Sequence, residues 1–407
     1  MARLFASQIG KGYLVYDFGN VHVFYTEEKS INEPTDESVI GIDENDSFDS
    51  GEGFSPVIFT GYGCNYSCDY CYEQGLKRTS LYMEAKSLSK IDEFYDEYCR
   101  QLGVEKKYKM VSLIGGEPFL EENRELIKTV FERWPNTPIC FSTNGVNILE
   151  YKEMLEHQDV EFHISLDGTK AFHYKRRHPK ANNYYEKTMD GIKWLVANEK
   201  KVVIMMLLFK DNKADFSSFL DELEKLGWPE KIELVLLPKY SCGGEHIDEK
   251  YLQESLNMLL ELYKEEPRLR YINIEKFAPG LRAFRLHENT NMYGCDRLRG
   301  RGHVFFPDGR VKICQTVDSD VLEIGRFLPL PSVDMNKMEL IISRKNAVIE
   351  KCQGCSFNKV CRGGCLAHSV ENGGGILDPN CDYWDSGAWE RAFTIVGNIL
   401  FCEGKLI

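Results

Sequence analysis

The sequence has no long apolar run. The longest, "VVIMMLLF" at 202–209, falls far short of the about 20 residues that a membrane-spanning helix needs. The opening stretch, "MARLFASQIGKG", holds no apolar core of signal-peptide length. An excess of basic residues is also missing. Fifty Lys and Arg stand against 63 Asp and Glu, a formal net charge of −13, which argues against a surface that coats nucleic acid. There is no internal repeat beyond an alternation of strand and helix patterns. These absences lead to the expectation of a cytoplasmic protein with neither membrane nor nucleic acid as partner. Small molecules, peptides and proteins stay open as substrates.

What is present is a globular composition, 43% hydrophobic and 12% aromatic over 407 residues. That length predicts two or three domains of roughly 100–200 residues and a core that buries about three quarters of the unfolded chain's surface. Cysteine is abundant, with 14 residues. In a cytosolic chain such cysteines hold metal more often than they form disulfides.

The chain divides by pattern into four segments. Residues 1–54 hold "GYLVYDFGNVHVFYT", which alternates apolar and polar positions around Gly19-Asn20 and reads as a β-hairpin. The acidic, glycine-bearing stretch "DESVIGIDENDSFDSGEG" follows as a linker. Over 55–240, six short apolar runs read as strands: 55–60, 109–115, 138–143, 160–166, 201–209 and 231–237. Charged segments of helical period separate most of them. Alternating βα units predict a parallel sheet with helices outside it. Six units fall short of the eight of a closed barrel, so the expected fold class is α/β, an open partial (β/α)6 barrel with its site at the C-terminal strand ends. Residues 241–294 form a bridging region. Residues 295–407 carry seven cysteines between 295 and 381 and read as a small metal-organised domain.

Two constellations carry chemistry. The first is "CNYSCDYC", with Cys64, Cys68 and Cys71 at CxxxCxxC spacing after the first strand. Three thiols leave a four-ligand centre one short. A zinc knuckle is the plainer reading of the spacing alone. The second is Cys295, thirteen residues, Gly309, four residues, Cys314; then Cys352, Cys355, Cys361 and Cys365 at Cx2Cx5Cx3C; then Cys381. The four-cysteine run by itself also fits a zinc ribbon.

In the context of a βα barrel, the first constellation resembles the signature of radical S-adenosylmethionine (SAM) enzymes. The second resembles the SPASM domain that follows the partial barrel in many peptide-modifying members. The resemblance spans roughly residues 55–385. It implies that Cys64, Cys68 and Cys71 hold a 4Fe–4S cluster whose open iron takes the methionine moiety of SAM. Further motifs follow the strands. In "GGEP", Gly115 and Gly116 would let backbone approach the methionine, and Glu117 would offset its ammonium. Thr143 and Asn144 lie in "STNG" after strand three. Ser165 in "ISLDG" matches a ribose-contacting serine, Tyr70 a residue that meets the adenine, and Arg177 an arginine that pairs with the methionine carboxylate. The family pattern around that arginine is His-Asp-x-x-Arg; this chain has His173 and then Tyr174.

The resemblance further implies two auxiliary 4Fe–4S clusters, for three in all. Cys352, Cys355, Cys361 and Cys381 would hold the outer one, and Cys295, Cys314 and Cys365 the inner one, which is left a ligand short. Cys242, a substrate thiolate or a non-cysteine ligand are the choices for that position. Cys99, Cys140 and Cys402 read as ordinary buried or semi-buried thiols. The expected function is a radical SAM peptide maturase that forms a crosslink, a cysteine thioether, in a ribosomally made peptide. Its partners would be a precursor peptide and a one-electron reductant of flavodoxin or ferredoxin type. Carbon–carbon crosslinking, formylglycine formation by an anaerobic sulfatase-maturating enzyme, and a non-enzymatic electron carrier are the alternatives. In the sulfatase-maturating pattern an aspartate follows the cysteine of the Gx4C motif; here Gln315 follows Cys314. Residues 1–54 read as a reduced leader-binding element that would accept a peptide as an added strand.

Overall fold

The computed structural model describes residues 4–18, 21–27, 53–75, 81–156, 158–238, 249–281, 284, 295–346 and 349–406. The Gly19-Asn20 turn, the linker up to residue 52, Cys242 and much of the bridging region lie outside the described residues.

Three N-terminal strands form an antiparallel sheet: β1 (Leu4–Ile9), β2 (Gly12–Asp17) and β3 (His22–Thr26). The expected hairpin is β2–β3, and β1 is a strand the pattern did not mark. This sheet docks on the C-terminal segment. Phe18 meets the rings of Phe357, Trp384 and Trp389 edge-on, with centroids 4.9, 5.9 and 5.4 Å away. The Tyr16 hydroxyl donates to the Phe393 carbonyl (3.3 Å).

The six expected barrel strands are all present: β4 (Val57–Phe59), β5 (Val111–Ile114), β6 (Ile139–Thr143), β7 (Val160–Ser165), β8 (Lys201–Leu207) and β9 (Ile232–Leu237). They pair in parallel in sequence order. Helices cover the outer face. In the helix Leu88–Leu102, Leu88, Ile91, Phe94, Tyr95 and Tyr98 are buried at the spacing of one helical face.

The sheet does not end at β4. Strand β10 (Val304–Phe305) adds to it in parallel, and β11 (Arg310–Lys312), β12 (Glu323–Arg326) and β13 (Ser332–Val333) follow antiparallel. The result is one ten-stranded sheet, so the cysteine-rich segment begins as an extension of the barrel's first edge. No helix among the described residues is long and apolar enough to cross a membrane.

Strand register fixes what faces the concave side, because alternate residues point to opposite faces. Val57 and Phe59 align with Ser112 and Ile114; Ser112 aligns with Cys140, Cys140 with Glu161, and Ser142 with His163. Val57, Phe59, Ile114, Val304 and Phe306 form a small apolar cluster apart from the main core, while Ile58, Leu113, Phe141, Phe162 and Ile164 belong to the helix-covered core. The concave face is thus apolar at β4 and β10 and polar across β6 and β7.

Candidate active site

Cys64, Cys68 and Cys71 lie in the loop after β4, none fully buried. The end of β6 and the end of the helix Lys170–Arg177 hold this loop. Asn144, after β6, donates its side-chain amide to Asn65 Oδ1 (2.6 Å). Arg177 directs Nη1 at Cys68 Sγ (4.0 Å). Burial pushes the Cys64 thiol up to about 12, with Glu117 adding to the shift, and burial also raises Cys68. These sulfurs therefore keep their protons at neutral pH unless a cation takes them as thiolates. Three convergent soft donors at a strand end fit an iron–sulfur cluster with one open position.

The glycines of "GGEP" have a local reason. The Gly116 N–H donates to Gly61 O (2.8 Å), and a Cβ on Gly116 would lie 2.1 Å from Gly63 O. Gly115 has φ +134 and equally little room, with Gly61 O 2.7 Å from a Cβ. Only glycine lets this turn pass against the cysteine loop. Glu117 is 1% exposed. It accepts from Thr143 Oγ1 (2.6 Å), Asn144 N (2.8 Å) and Phe119 N (3.0 Å). One buried carboxylate thereby locks "GGEP" to "STNG", a link the sequence did not reveal.

Arg177 closes the helix Lys170–Arg177. Its Nε donates to Asp167 Oδ2 (2.7 Å), and its guanidinium lies 5.4 Å from the Tyr70 ring centroid. The Tyr70 hydroxyl bonds the same Asp167 oxygen, and Leu207 N donates to Oδ1 (3.1 Å). Burial would raise the Asp167 carboxyl, but Arg177 outweighs it and holds the group below the usual carboxylate range. Asp167 is the site residue that sequence reading missed. Its signal was present in "ISLDG", of which only Ser165 was taken. Ser165 itself ends β7 on the concave face. His173 is fully buried, accepts from Asp167 N (3.3 Å), and is pushed by burial to about 3, so it is neutral. Tyr174, in the place of the family aspartate, accepts from Tyr185 N (2.8 Å) and donates to Asn182 O (3.0 Å). It fastens its helix to the next one.

Further down the concave face, His163 and Glu161 are 2.7 Å apart. Their donor atoms and Cys140 Sγ lie within 4.8 Å of one another. Lys201 Nζ binds Glu161 at 2.7 Å, so a cation already occupies this carboxylate.

In the C-terminal segment, Cys352, Cys355 and Cys381 all bear electrostatically on Cys361, so the four expected outer ligands converge. Arg362, Gly363 and Gly364 have φ of 50°, 79° and 71°, a left-handed turn that carries the chain from Cys361 to Cys365. Cys295 immediately precedes the turn Asp296–Arg299, and Cys314 lies beyond β11 with Sγ 3.1 Å from Thr316 Oγ1. Tyr72 feels both Cys71 and Cys314, so Cys314 lies on the side of the first triad. Arg297 donates to Gln315 Oε1. Asp318 is engaged by Arg310 (2.9 Å) and Lys312. Of the remaining thiols, Cys99 and Cys140 are buried; Cys402, expected to be at least half-buried, is exposed at the end of the helix Asn398–Cys402.

Residues 58–223 match the model of the Radical SAM superfamily. The chain is 23% identical to a probable GTP 3',8-cyclase of Sulfolobus acidocaldarius over 69% of its own length and 87% of that protein. It is 24% identical to a cysteine-type anaerobic sulfatase-maturating enzyme of Clostridium novyi over 76% of this chain and 86% of that one. Among solved structures, native anSMEcpe with bound AdoMet and Cp18Cys peptide shares the fold with TM-score 0.62 and 18% identity, over 88% of this chain and all of that one. Streptococcus suis SuiB bound to precursor peptide SuiA does so with TM-score 0.54 and 14% identity, over 81% and 75%. Residues 58–223 of this chain thus match the Radical SAM superfamily and carry its partial-barrel fold, joined through a shared sheet to a cysteine-rich C-terminal region.

Proposed function

We propose that this enzyme is a peptide maturase that crosslinks a ribosomally made precursor through a cysteine thioether. The observation that carries the reading is the spacing of ten cysteines, which reads as three groups with the inner one a ligand short, together with Cys314 and Cys71 both acting on Tyr72. Cys64, Cys68 and Cys71 would hold the SAM-binding 4Fe–4S cluster. Cys352, Cys355, Cys361 and Cys381 would hold the outer auxiliary cluster, and Cys295, Cys314 and Cys365 the inner one. When bound, the first cluster and SAM supply a 5′-deoxyadenosyl radical. The protein's own part is to orient the cofactor and to shield the site. Arg177, fixed by Asp167, would turn its guanidinium edge on the cysteine-loop side to the cofactor carboxylate. Gly115, Gly116 and Glu117 shape the ammonium end, Thr143 and Asn144 brace it, and Ser165 and Tyr70 take the ribose and adenine.

Likeness to two proteins whose structures contain peptides supports a peptide substrate. The formylglycine reading has support from the sulfatase-maturating relatives, yet the position after Cys314 is Gln315, and Asp318 and Asp320 are off-register. Gln315 is a carboxamide held by Arg297, and Asp318 is engaged by two cations. An inner centre with an open position would bind a substrate cysteine as thiolate. The sheet β1–β3 is the element proposed to take the precursor's leader as an added strand. A flavodoxin- or ferredoxin-type protein would supply the electron.

The test is anaerobic incubation with SAM, dithionite and any cysteine-containing peptide found encoded beside the gene. The expected product is two mass units lighter, with one thiol fewer open to alkylation. A product two units lighter with all thiols free would replace thioether by carbon–carbon bonding. Absence of 5′-deoxyadenosine would leave only an electron carrier.

A further inference from the structure

The helix Met335–Asn346 carries Arg344 into the cysteine-rich segment. Arg344 is 1% exposed and is among the largest fully buried side chains. Its guanidinium donates to three backbone carbonyls: Ile376, Asp378 (2.8 Å) and Gly363 (2.6 Å). Its Nε has no partner. None of these acceptors carries a charge. The Asp378 carboxylate is itself engaged by the Gly375 N–H (2.6 Å).

A buried guanidinium with no carboxylate in hydrogen-bond contact is costly, and proteins pair such charges; Asp378 bears on it only after the three nearby cysteines. The surroundings of Arg344 show where the anion belongs. Gly363 stands two residues from Cys361 on one side and Cys365 on the other, and a Cβ there would lie 3.4 Å from Arg344 Nη2. Asp378 precedes Cys381 by three residues. The sulfurs that bear on the guanidinium most strongly are Cys361, Cys365 and Cys352. Cys361 and Cys352 belong to the proposed outer set and Cys365 to the inner one, so Arg344 sits between the two.

We propose that Arg344 is the shared counter-cation of the two auxiliary clusters and sets their reduction potentials. The inference rests on the two-cluster reading above. A thiolate-ligated cubane is an anion that gains one further negative charge on reduction, and its potential follows net charge and hydrogen bonding around it. A fixed cation between two such anions weakens their mutual repulsion and favours the reduced state of each. It makes the pair better electron acceptors at the moment a substrate radical must lose an electron.

The experiment uses the full chain, reconstituted anaerobically, in a background with Cys64, Cys68 and Cys71 replaced by Ala so that only the auxiliary centres contribute. Potentials are read by electron paramagnetic resonance during a redox titration for Arg344, R344K and R344Q. R344Q is expected to load the same iron and to be harder to reduce by roughly tenfold or more, about 59 mV for one electron. R344K is expected to stay near the parent. Iron loading by R344K but not R344Q also supports a charge requirement. Unchanged potentials in fully loaded R344Q overturn the inference, as does equal loss of iron in both variants, which makes Arg344 a scaffold for the loop. An iron count of four or fewer in the otherwise unaltered protein overturns the two-cluster reading itself, and this inference with it.

Discussion

Arg177 and Asp167 form a buried ion pair, Nε to Oδ2 at 2.7 Å, with side chains 7% and 1% exposed. The pair fixes the guanidinium while leaving its Nη1 edge toward the cysteine loop. Replacing one partner of a buried pair strands the other charge, at about 3–5 kcal/mol. D167N, which keeps the shape and loses the charge, is expected to weaken SAM binding by at least about tenfold, or about 1.4 kcal/mol. Anaerobic calorimetry measures this. Unchanged affinity would show that Arg177 does not orient the cofactor through Asp167. Because Arg177 holds the Asp167 carboxyl low against the upward push of burial, the pair's stability is present above the unfolded carboxyl's pKa. It is lost as pH falls through the folded one.

Replacing Cys64, Cys68 and Cys71 together by Ala is expected to remove about four irons of about twelve and to abolish 5′-deoxyadenosine formation. Iron analysis and chromatography check both. C355A is expected to act differently: on the two-cluster reading it would remove a ligand from a segment of short elements whose folding energy would include metal binding. It should give poorly soluble protein, and full solubility with full iron content would count against Cys355 as a ligand.

Glu266 supplies a pH dependence remote from the site. It accepts from Arg268 N and Nε and from Ser217 Oγ, and these partners, Arg268 first, lower it to about 2 against its partial burial. Its contribution is complete above the unfolded carboxyl value of about 4.3 and fades as pH falls toward 2. E266Q is expected to cost roughly 1–3 kcal/mol at pH 7 and to flatten the acid limb of stability. Thermal melts between pH 7 and 3 give the comparison; parallel limbs would exclude the role.

Phe18 is fully buried against the C-terminal aromatics. F18A is expected to cost about 3–5 kcal/mol through lost burial and a residual cavity. Urea denaturation measures it, and a loss under 1 kcal/mol would mean that the sheet β1–β3 is only loosely docked.

The six barrel strands were legible because each is a short apolar run set off by charged segments of helical period. The cysteine groups and strand-end motifs could be picked out because spacing is their signal; the roles given to them are proposals. Strands β10–β13 were not, since each has only two to four residues and exists only because β4 offers an unpaired edge. Asp167 escaped because its partners, Tyr70, Arg177 and Leu207, come from three separate segments. Arg344 escaped for another reason: its partners are carbonyls, which no side-chain pattern announces.

The docking of β2 on the C-terminal aromatics has a bearing on biosynthesis. Ser7 bonds to a residue 391 positions later, and Phe18 waits for Trp384 and Trp389. At roughly 5–20 residues per second, the apolar face of the first sheet stays uncovered on the ribosome for about 20–80 s. The earliest strands of this chain are among the last to find their partners. Through that interval an apolar strand face is open to pairing with the same strands of a neighbouring nascent chain.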